Sequence, residues 1–373
     1  MIKKKRVIDC MSDTDKNAVR YFVGSNSSCG FFSLFSDVYD NRDGWRAFLI
    51  KGGPGSGKST LMKKVAARFE ERFPVEYLHC SSDPDSLDGV VLPDLKICVM
   101  DATAPHVLEP KYPGACENII NIGECWDPEI LRRCSGEIIA LAEECSALHR
   151  AAQSYLKGCG IIKRDGDRYY AEAVNTEKLA RFAQRLSRRE LPKISDSPGR
   201  QKRRMLSAYG PQGLKYFSET VNVLSDRVYC IQDDSGVISG QLLGEIRRCA
   251  IAAGYDVVSC MSPLFGEVTE HLLIPSAGLS LVTVNKFLKA PREGCRCINT
   301  RRFLDAQKLY GHKVRIGFNK KALTALTNEA GGQMLLAKQT HDLLERYYVS
   351  AMDFEKVERL GNGLCSMIEQ IIA

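Results

Sequence analysis

Residues 48–61 have the sequence Phe-Leu-Ile-Lys-Gly-Gly-Pro-Gly-Ser-Gly-Lys-Ser-Thr-Leu. This stretch meets the pattern G-x-x-x-x-G-K-S/T, and it lies between an apolar run that predicts a buried strand and an apolar periodicity that predicts a helix. Glycines let successive backbone N–H groups turn toward phosphate oxygens, and the N-terminus of the helix adds partial positive charge. We therefore expect a phosphate loop that binds a nucleoside triphosphate, with ATP and Mg2+ as the ligands. The predicted binding residues are Gly52, Gly53, Pro54, Gly55, Ser56, Gly57, Lys58, Ser59 and Thr60.

The loop predicts separate roles for its lysine and its serine. Lys58 is expected to reach the β- and γ-phosphates, and Ser59 is expected to offer its hydroxyl to Mg2+. A metal-holding carboxylate is expected at the end of a neighbouring strand, and the apolar run 97–100 leads directly into Asp101. Apolar runs that end in aspartate are common, so an ordinary strand end is the alternative for Asp101.

The residue after this aspartate bears on the rate of hydrolysis. It is Ala102, whereas many ATP-hydrolysing machines place there a glutamate that polarises water. A fast motor-type ATPase is therefore disfavoured, although Glu109 or Glu124 could act from elsewhere in the chain.

Polar residues also follow the second and third predicted strands. In open α/β sheets, ligands gather outside the carboxyl ends of the strands, so both loops should border one crevice. Asp83, Asp85, Asp88 and His106 could orient water, a metal ion or a phosphate acceptor there. Helix capping is the alternative for the short acidic turns. The predicted catalytic residues are Lys58, Asp101, His106 and Asp83.

The chain contains an internal repeat, which is typical of a duplicated structural unit. Ile50 and Leu61 in the first copy match Ile231 and Leu242 in the second at an offset of 181. Near the ends of the copies, residues 169–173 and 177–179 match residues 347–351 and 355–357. Several matches in the same order favour a duplication over chance.

The repeat and the local patterns together predict the domain organisation. Residues 1–190 are expected to form an active P-loop NTPase domain, residues 191–204 a basic linker, and residues 205–373 a degenerate P-loop-like domain. The predicted fold class is α/β, with two P-loop NTPase-like parallel-sheet halves in tandem, each with an appended helical hairpin. In the first half the predicted elements are strands at 46–51, 75–79 and 96–100, and helices at 58–73, 128–155 and 175–186. The helices expected near the end of the second half are at 320–347 and 353–372.

The second copy lacks the features that bind phosphate. Ser239 replaces the lysine, and Ile238 stands where Gly57 gives the first loop its glycine geometry. Asp233 and Asp234 would in addition repel phosphate. We therefore expect triphosphate binding at the first half only.

Three further residues of the second copy carry hypotheses. Asn285 stands near the place that Asp101 has in the first copy. Arg292, Arg296 or another cation of the second half could reach the first site.

Composition limits the compartment and the partners. The chain has 373 residues, a net charge of +7 and 15 cysteines that are odd in number and scattered, which favours free thiols in a reducing cytoplasm. No secretory signal and no membrane-spanning stretch are expected. The positive charge lies in short local runs, which is weak evidence for nucleic acid and does not exclude it.

Several stretches taken together carry a family resemblance. They are residues 21–24, 30–33, the loop itself, 79–83, 86–89, 101–106 and 109–110. With its paired halves, the sequence resembles an uncharacterised bacterial family of tandem P-loop ATPase-like proteins. The resemblance implies nucleotide binding and presumed hydrolysis, with no established substrate. The second half often has an intact loop in that family, and this sequence departs from it.

Three functions remain open on these grounds. The leading one is slow, partner-gated ATP hydrolysis that drives a conformational change between the halves. The second is phosphotransfer by a small-molecule or nucleotide kinase, and the third is nucleotide sensing with little turnover. The expected partners are thus a nucleoside triphosphate and either a protein or a small-molecule acceptor.

Overall fold

The structure, a computed structural model, describes residues 18–104 and 107–373. In the first half the strands are β1 (Val19–Phe22), β2 (Gly24–Ser27), β3 (Gly30–Ser33), β4 (Arg46–Lys51), β5 (Glu76–His79), β6 (Leu87–Leu92), β7 (Ile97–Asp101) and β8 (Glu117–Asn121). The helices of this half are α1 (Lys58–Phe69), α2 (Pro128–Arg133), α3 (Ser135–Ala173) and α4 (Thr176–Glu190).

The second half repeats this order of elements with one added helix, α5. Its strands are β9 (Gln201–Arg204), β10 (Ser207–Gly210), β11 (Gly213–Tyr216), β12 (Arg227–Gln232), β13 (Val257–Met261), β14 (Thr269–Ile274), β15 (Leu279–Val284) and β16 (Arg296–Asn299). Its helices are α5 (Ser218–Leu224), α6 (Val237–Ala252), α7 (Ala306–Tyr310), α8 (Lys313–Ala351) and α9 (Phe354–Ile372).

Each half is built on a six-stranded sheet, and both sheets have the same strand order. The order is β1-β5-β6-β7-β4-β8 in the first sheet and β9-β13-β14-β15-β12-β16 in the second. This agreement is consistent with two tandem α/β halves. The sheets are mixed rather than parallel, because β6 and β14 run antiparallel to both of their neighbours. Only seven residues separate β5 from β6 and four separate β6 from β7, which is too few for the crossover that parallel neighbours need.

The helices following each sheet do not form the predicted hairpins. Helices α3 and α8 each have 39 residues, about 58 Å of helix, and lie antiparallel against each other. Helix α3 leads into α4, which lies against the second half, and α8 leads into α9, which lies against the first half. Leu179 and Ala183 of α4 pack with α6 of the second half, and Leu364 and Ile368 of α9 pack with α1 of the first. The physical reason is that the apolar faces of α1 and α6 are each covered by a helix from the other half.

The predicted linker 191–204 is shorter than expected. Its last residues form β9, which pairs in parallel with β13 and so belongs to the second sheet. Arg204, at the end of β9, is fully buried and its Nη2 lies 3.2 Å from Oε2 of Glu76 in the first sheet. The basic character of this segment therefore serves, at least in part, to join the two halves.

A shared apolar core lies between the halves. Phe22 of β1 exchanges two backbone hydrogen bonds with Met205, at 2.8 and 2.9 Å. Leu78 and Met100 of the first half lie in the same core as Cys230 of the second. The two halves are thus joined both by this core and by the exchanged helices.

Two further findings concern the described residues as a whole. Every cysteine among them is a free thiol, as expected. None of their helices combines the length and the apolar character needed to cross a bilayer.

Candidate nucleotide-binding site

The loop between β4 and α1 has the backbone shape that its glycines permit. Gly55 has φ 63° and Gly57 has φ 90°, both in the left-handed region that residues with side chains rarely adopt. Ser56 is buried, and its Oγ donates to the carbonyl oxygen of Gly53 at 2.8 Å. The loop is therefore held as a tight turn that leads directly into the first turn of α1.

The Lys58 ammonium lies over this turn. Its Nζ donates to the carbonyl oxygens of Gly52 at 3.0 Å and Gly53 at 2.8 Å, and it lies 3.7 Å from Oδ2 of Asp101. The side chains of Lys58 and Asp101 are each 14% exposed. The N–H groups of Lys58 and Ser59 belong to the first helical turn and have no intrahelical partner. An ammonium and several unpaired N–H donors therefore converge at the start of α1, as an anion site requires.

Two carboxylates face this lysine from neighbouring strands. Asp101 ends β7, and its Oδ1 accepts a hydrogen bond from the N–H of Thr103 at 2.8 Å. Asp88 lies beside it on β6, because Gly89 pairs with Met100 in the antiparallel register. Burial raises the pKa of Asp101, and the Lys58 ammonium partly offsets this.

Asp88 is the more strongly perturbed of the two acids. Burial, with a further contribution from the negative charge of Asp101, raises the pKa of Asp88 to about 8. With a pKa of about 8, Asp88 is mostly protonated at neutral pH.

Ser59 and Thr60 differ in what surrounds them. Ser59 Oγ accepts a hydrogen bond from the N–H of Leu87 at 3.0 Å, so the hydroxyl is fixed against the start of β6. Its own proton and a second lone pair remain for another partner. Thr60 is exposed on the outer side of the helix start.

The structure places Asp83 and Glu109 in ion pairs away from the Lys58 ammonium. Asp83 accepts from Ser86 Oγ at 2.9 Å and lies 3.6 Å from Nζ of Lys338 on α8, so it caps a turn and pairs with the second half. His106 lies outside the described residues. Glu109 pairs with Nζ of Lys51 at 2.7 Å. None of these contacts places Asp83 or Glu109 against the Lys58 ammonium.

Sequence reasoning missed Thr103, which fastens the loop to the end of β7. Its Oγ1 donates to the carbonyl oxygen of Gly52 at 3.1 Å. The motif places no requirement at this position, so the sequence carries no signal for it.

Sequence reasoning also missed the cover over the loop, which comes from α8. The N–H of Gly55 donates to Oε1 of Glu345 at 3.2 Å. A Cβ on Gly53 would lie 2.6 Å from Cε1 of Tyr348, and one on Gly55 would lie 2.9 Å from the carbonyl oxygen of Glu345. Helix α8 of the second half thus lies directly on the loop of the first half, and a carboxylate oxygen takes one of its donors.

The same stretch of α8 brings together three groups that could hold a cation. Ligand atoms of His341, Asp342 and Glu345 all lie within 4.8 Å of one another. The ammonium of Lys338 already lies 2.5 Å from Oδ1 of Asp342, so a cation there would have to displace it.

In the second copy, the loop between β12 and α6 is closed, meaning that Asp233 accepts hydrogen bonds from its backbone N–H groups. Asp233 Oδ1 accepts from the N–H of Ser235 at 2.9 Å, and Oδ2 accepts from the N–H of Ser239 at 2.8 Å. Helix α6 already begins at Val237, so the buried Ile238 is helical where Gly57 has a positive φ. Donors that could bind a phosphate are therefore already paired with a carboxylate.

The structure gives contacts for the three other residues of the second half that carry hypotheses. Asn285 caps a turn, accepting from the N–H groups of Phe287 at 2.9 Å and Leu288 at 3.1 Å. Arg292 donates to the carbonyl oxygen of Asp226, and Arg296 donates to the hydroxyl of Tyr229 at 2.8 Å. Nη1 of Arg296 also lies 3.5 Å from Oε1 of Glu190 on α4, and none of these contacts places either arginine at the first loop.

The described residues form a mixed α/β protein with two six-stranded, mostly parallel sheets. Comparison of the chain with protein-family models, with curated proteins and with solved structures gives no match in any of the three.

The donor set at the first loop fits a magnesium-bound triphosphate in kind. Backbone N–H groups and an ammonium suit phosphate oxygens, while the Ser59 hydroxyl and the Asp101 carboxylate are oxygen ligands of the type that Mg2+ prefers. Two contacts from α8 obstruct this fit: Glu345 occupies the donor of Gly55, and the ring of Tyr348 lies against Gly53.

Proposed function

We propose that the first half binds Mg2+–ATP at the loop between β4 and α1 and hydrolyses it slowly, under the control of α8. The observation that carries this is the arrangement around Lys58. Its ammonium lies over the carbonyl groups of Gly52 and Gly53, 3.7 Å from the Asp101 carboxylate, at the N-terminal turn of a helix. The resemblance to tandem P-loop ATPase-like proteins agrees with it.

Each residue of the site has a role in this proposal. The N–H groups of Gly55, Lys58 and Ser59 would hold phosphate oxygens, and the Lys58 ammonium would turn from the loop carbonyls toward the β- and γ-phosphates. Ser59 and Asp101 would hold Mg2+, which when bound neutralises phosphate charge. Asp88, held neutral by burial, keeps a second negative charge away from the phosphates.

Two features support slow and gated turnover. Ala102 follows Asp101, so this position lacks the glutamate that many ATP-hydrolysing machines use to polarise water. The carboxylate of Glu345 competes with phosphate for the N–H of Gly55, so binding requires that α8 move or that this side chain rotate away. Because α8 also runs along α3 and leads into α9, such a movement would reach both halves.

Phosphate release and ADP formation by the full-length chain test this proposal. The expected result is slow phosphate release from Mg2+–ATP without any acceptor, abolished in Lys58→Ala and retained in Ser239→Ala. ADP formation that needs an added metabolite would replace hydrolysis by phosphotransfer. Tight binding without ADP formation would replace it by nucleotide sensing.

A further inference from the structure

The second half contains a cavity next to its closed loop. It has a volume of about 650 Å3, which lies within the range of small-molecule sites. Asp234, Ser262 and Asn285, which follow β12, β13 and β15, line it. The cavity therefore lies at the carboxyl ends of the strands, where open α/β sheets bind ligands.

The closed loop excludes phosphate from this cavity. The buried Asp233 carboxylate already holds the N–H groups of Ser235 and Ser239, and the hydroxyl of Ser235 donates to it as well, at 2.7 Å. A phosphate here would meet a fixed negative charge in place of free donors.

The charged groups around the cavity are balanced in sign. Four cations and four anions line it: Lys163, Arg247, Lys286 and Lys320, with Asp167, Asp234, Glu267 and Glu270. Lys163 lies 2.6 Å from Asp167, and Lys320 lies 3.2 Å from Asp234, so these charges are already paired. The cavity therefore favours a ligand without net charge.

Apolar side chains form much of the remaining wall. Leu264 and Phe265 are buried there, and Val268 and Leu323 lie in or against the same apolar cluster. An apolar body bound between them would be removed from water, which is the main source of affinity in such pockets.

Glu270, in the cavity lining, offers a hydrogen-bond acceptor to a ligand. Oε2 of Glu270 accepts from the Ser207 hydroxyl at 2.7 Å and lies 3.3 Å from Nε2 of the buried His271. His271 Nδ1 accepts from the N–H of Thr283 at 3.2 Å, and its Nε2 makes no hydrogen bond with a described residue. Among the described residues no group donates to Oε1 of Glu270, which leaves an acceptor for a ligand N–H or O–H.

We propose that the second half binds an uncharged, largely apolar small molecule that carries a hydrogen-bond donor, in the cavity beside Asp233. This site does not depend on nucleotide binding at the first half. The second copy has thus kept a ligand cavity at the place where its loop no longer offers free donors to phosphate.

Two probes with one skeleton test the chemistry. N-phenyl-1-naphthylamine is an uncharged aromatic amine with one N–H donor, and 8-anilinonaphthalene-1-sulfonate adds a sulfonate to it. In fluorescence titrations of the full-length chain, the amine should bind saturably. The sulfonate should bind at least about tenfold more weakly than the amine, because a charged group is costly to bury without a partner. No saturable binding of the amine, or tighter binding of the sulfonate, would overturn the proposal.

Filling the cavity tests the location. Gly244 lines the cavity on α6, and a Cβ there meets no atom within 4 Å, so Gly244→Phe should fold and weaken the amine by about tenfold or more. Gly363→Phe on α9, where a Cβ also meets no atom within 4 Å, is the matched control and should leave affinity unchanged. If thermal unfolding shows that Gly244→Phe does not fold, Gly240→Leu fills the same cavity. Unchanged affinity in the folded filling variant would refute the location.

Discussion

Glu345 and Gly55 are 290 residues apart in the sequence, and the carboxylate of the first accepts the N–H of the second at 3.2 Å. The contact joins α8 of the second half to the loop between β4 and α1 of the first. A carboxylate oxygen and a phosphate oxygen are both anionic acceptors of such a donor. The Glu345 side chain therefore competes with the proposed ligand for the N–H of Gly55.

Removing this competitor should strengthen nucleotide binding. A hydrogen bond involving a charged group contributes about 1.5–3 kcal/mol, so we expect Glu345→Ala to raise the affinity for Mg2+–ATP by about tenfold in calorimetry. Glu345→Gln, which keeps an acceptor without the charge, should lie between the two. Glu358→Ala on α9, where the side chain is 70% exposed, is the control. Weaker binding by Glu345→Ala would instead make this residue part of the binding site.

The titration of Asp88 should appear in the stability of the protein. Burial raises its pKa in the folded state from 3.8 to about 8, so its contribution is complete below pH 3.8 and is lost as pH rises through 8. Within that window the loss is at most about 1.4 kcal/mol per pH unit. Asp88→Asn should therefore show a smaller fall in unfolding free energy between pH 5 and pH 8 than the parent chain in urea titrations. Equal falls would show that Asp88 ionises normally in the fold.

His79 should act with the opposite sign. Burial lowers its pKa from 6.5 to about 4, and its Nδ1 donates to the carbonyl oxygen of Pro84 at 2.7 Å. Its contribution is present above pH 6.5 and is lost as pH falls toward 4, at up to about 1.4 kcal/mol per pH unit. His79→Gln, which keeps a donor, should reduce the loss of unfolding free energy between pH 7 and pH 5. An unchanged loss would assign the acid sensitivity to other groups.

Removing only one partner of the Arg204–Glu76 ion pair between the sheets should lower the unfolding free energy. Arg204 is fully buried against Glu76, so Arg204→Met leaves a buried carboxylate whose remaining cation is Lys202, at 2.8 Å. We expect a loss of about 3 kcal/mol in unfolding free energy. The double variant Glu76→Gln with Arg204→Met should lose less than the two single losses added together. Strict additivity in this cycle would show that the pair does not couple the halves.

The backbone shape of the loop between β4 and α1 could be predicted from sequence because it depends on local residues. Gly55 and Gly57 have the positive φ that the motif needs, and α1 begins at Lys58, where the pattern placed the helix start. Strand β4 occupies the predicted residues 46–51. Glycine geometry, strand and helix all depend on neighbours within a few residues, so each leaves a signal in the sequence.

The packing of α4 and α9 against the opposite halves was not predicted, and neither was the antiparallel direction of β6. The apolar spacing of α4 predicts a buried face but does not state which sheet domain it covers, and its partner proved to be α6 of the second half. Glu345 could not be found for the same reason, since its place over Gly55 depends on the course of α8 across the molecule. His79 likewise became a residue of the core between the halves, in contact with Phe217.

Calorimetric titration of the folded, full-length chain with Mg2+–ATP tests the central claim most directly. We predict one bound nucleotide per chain, loss of affinity by about tenfold or more in Lys58→Ala, and unchanged binding in Ser239→Ala. Unchanged affinity in Lys58→Ala, or loss of binding in Ser239→Ala, would contradict the assignment of the site to the first half. No measurable binding of any magnesium nucleotide by the folded parent chain, and none by Glu345→Ala, would contradict the claim itself.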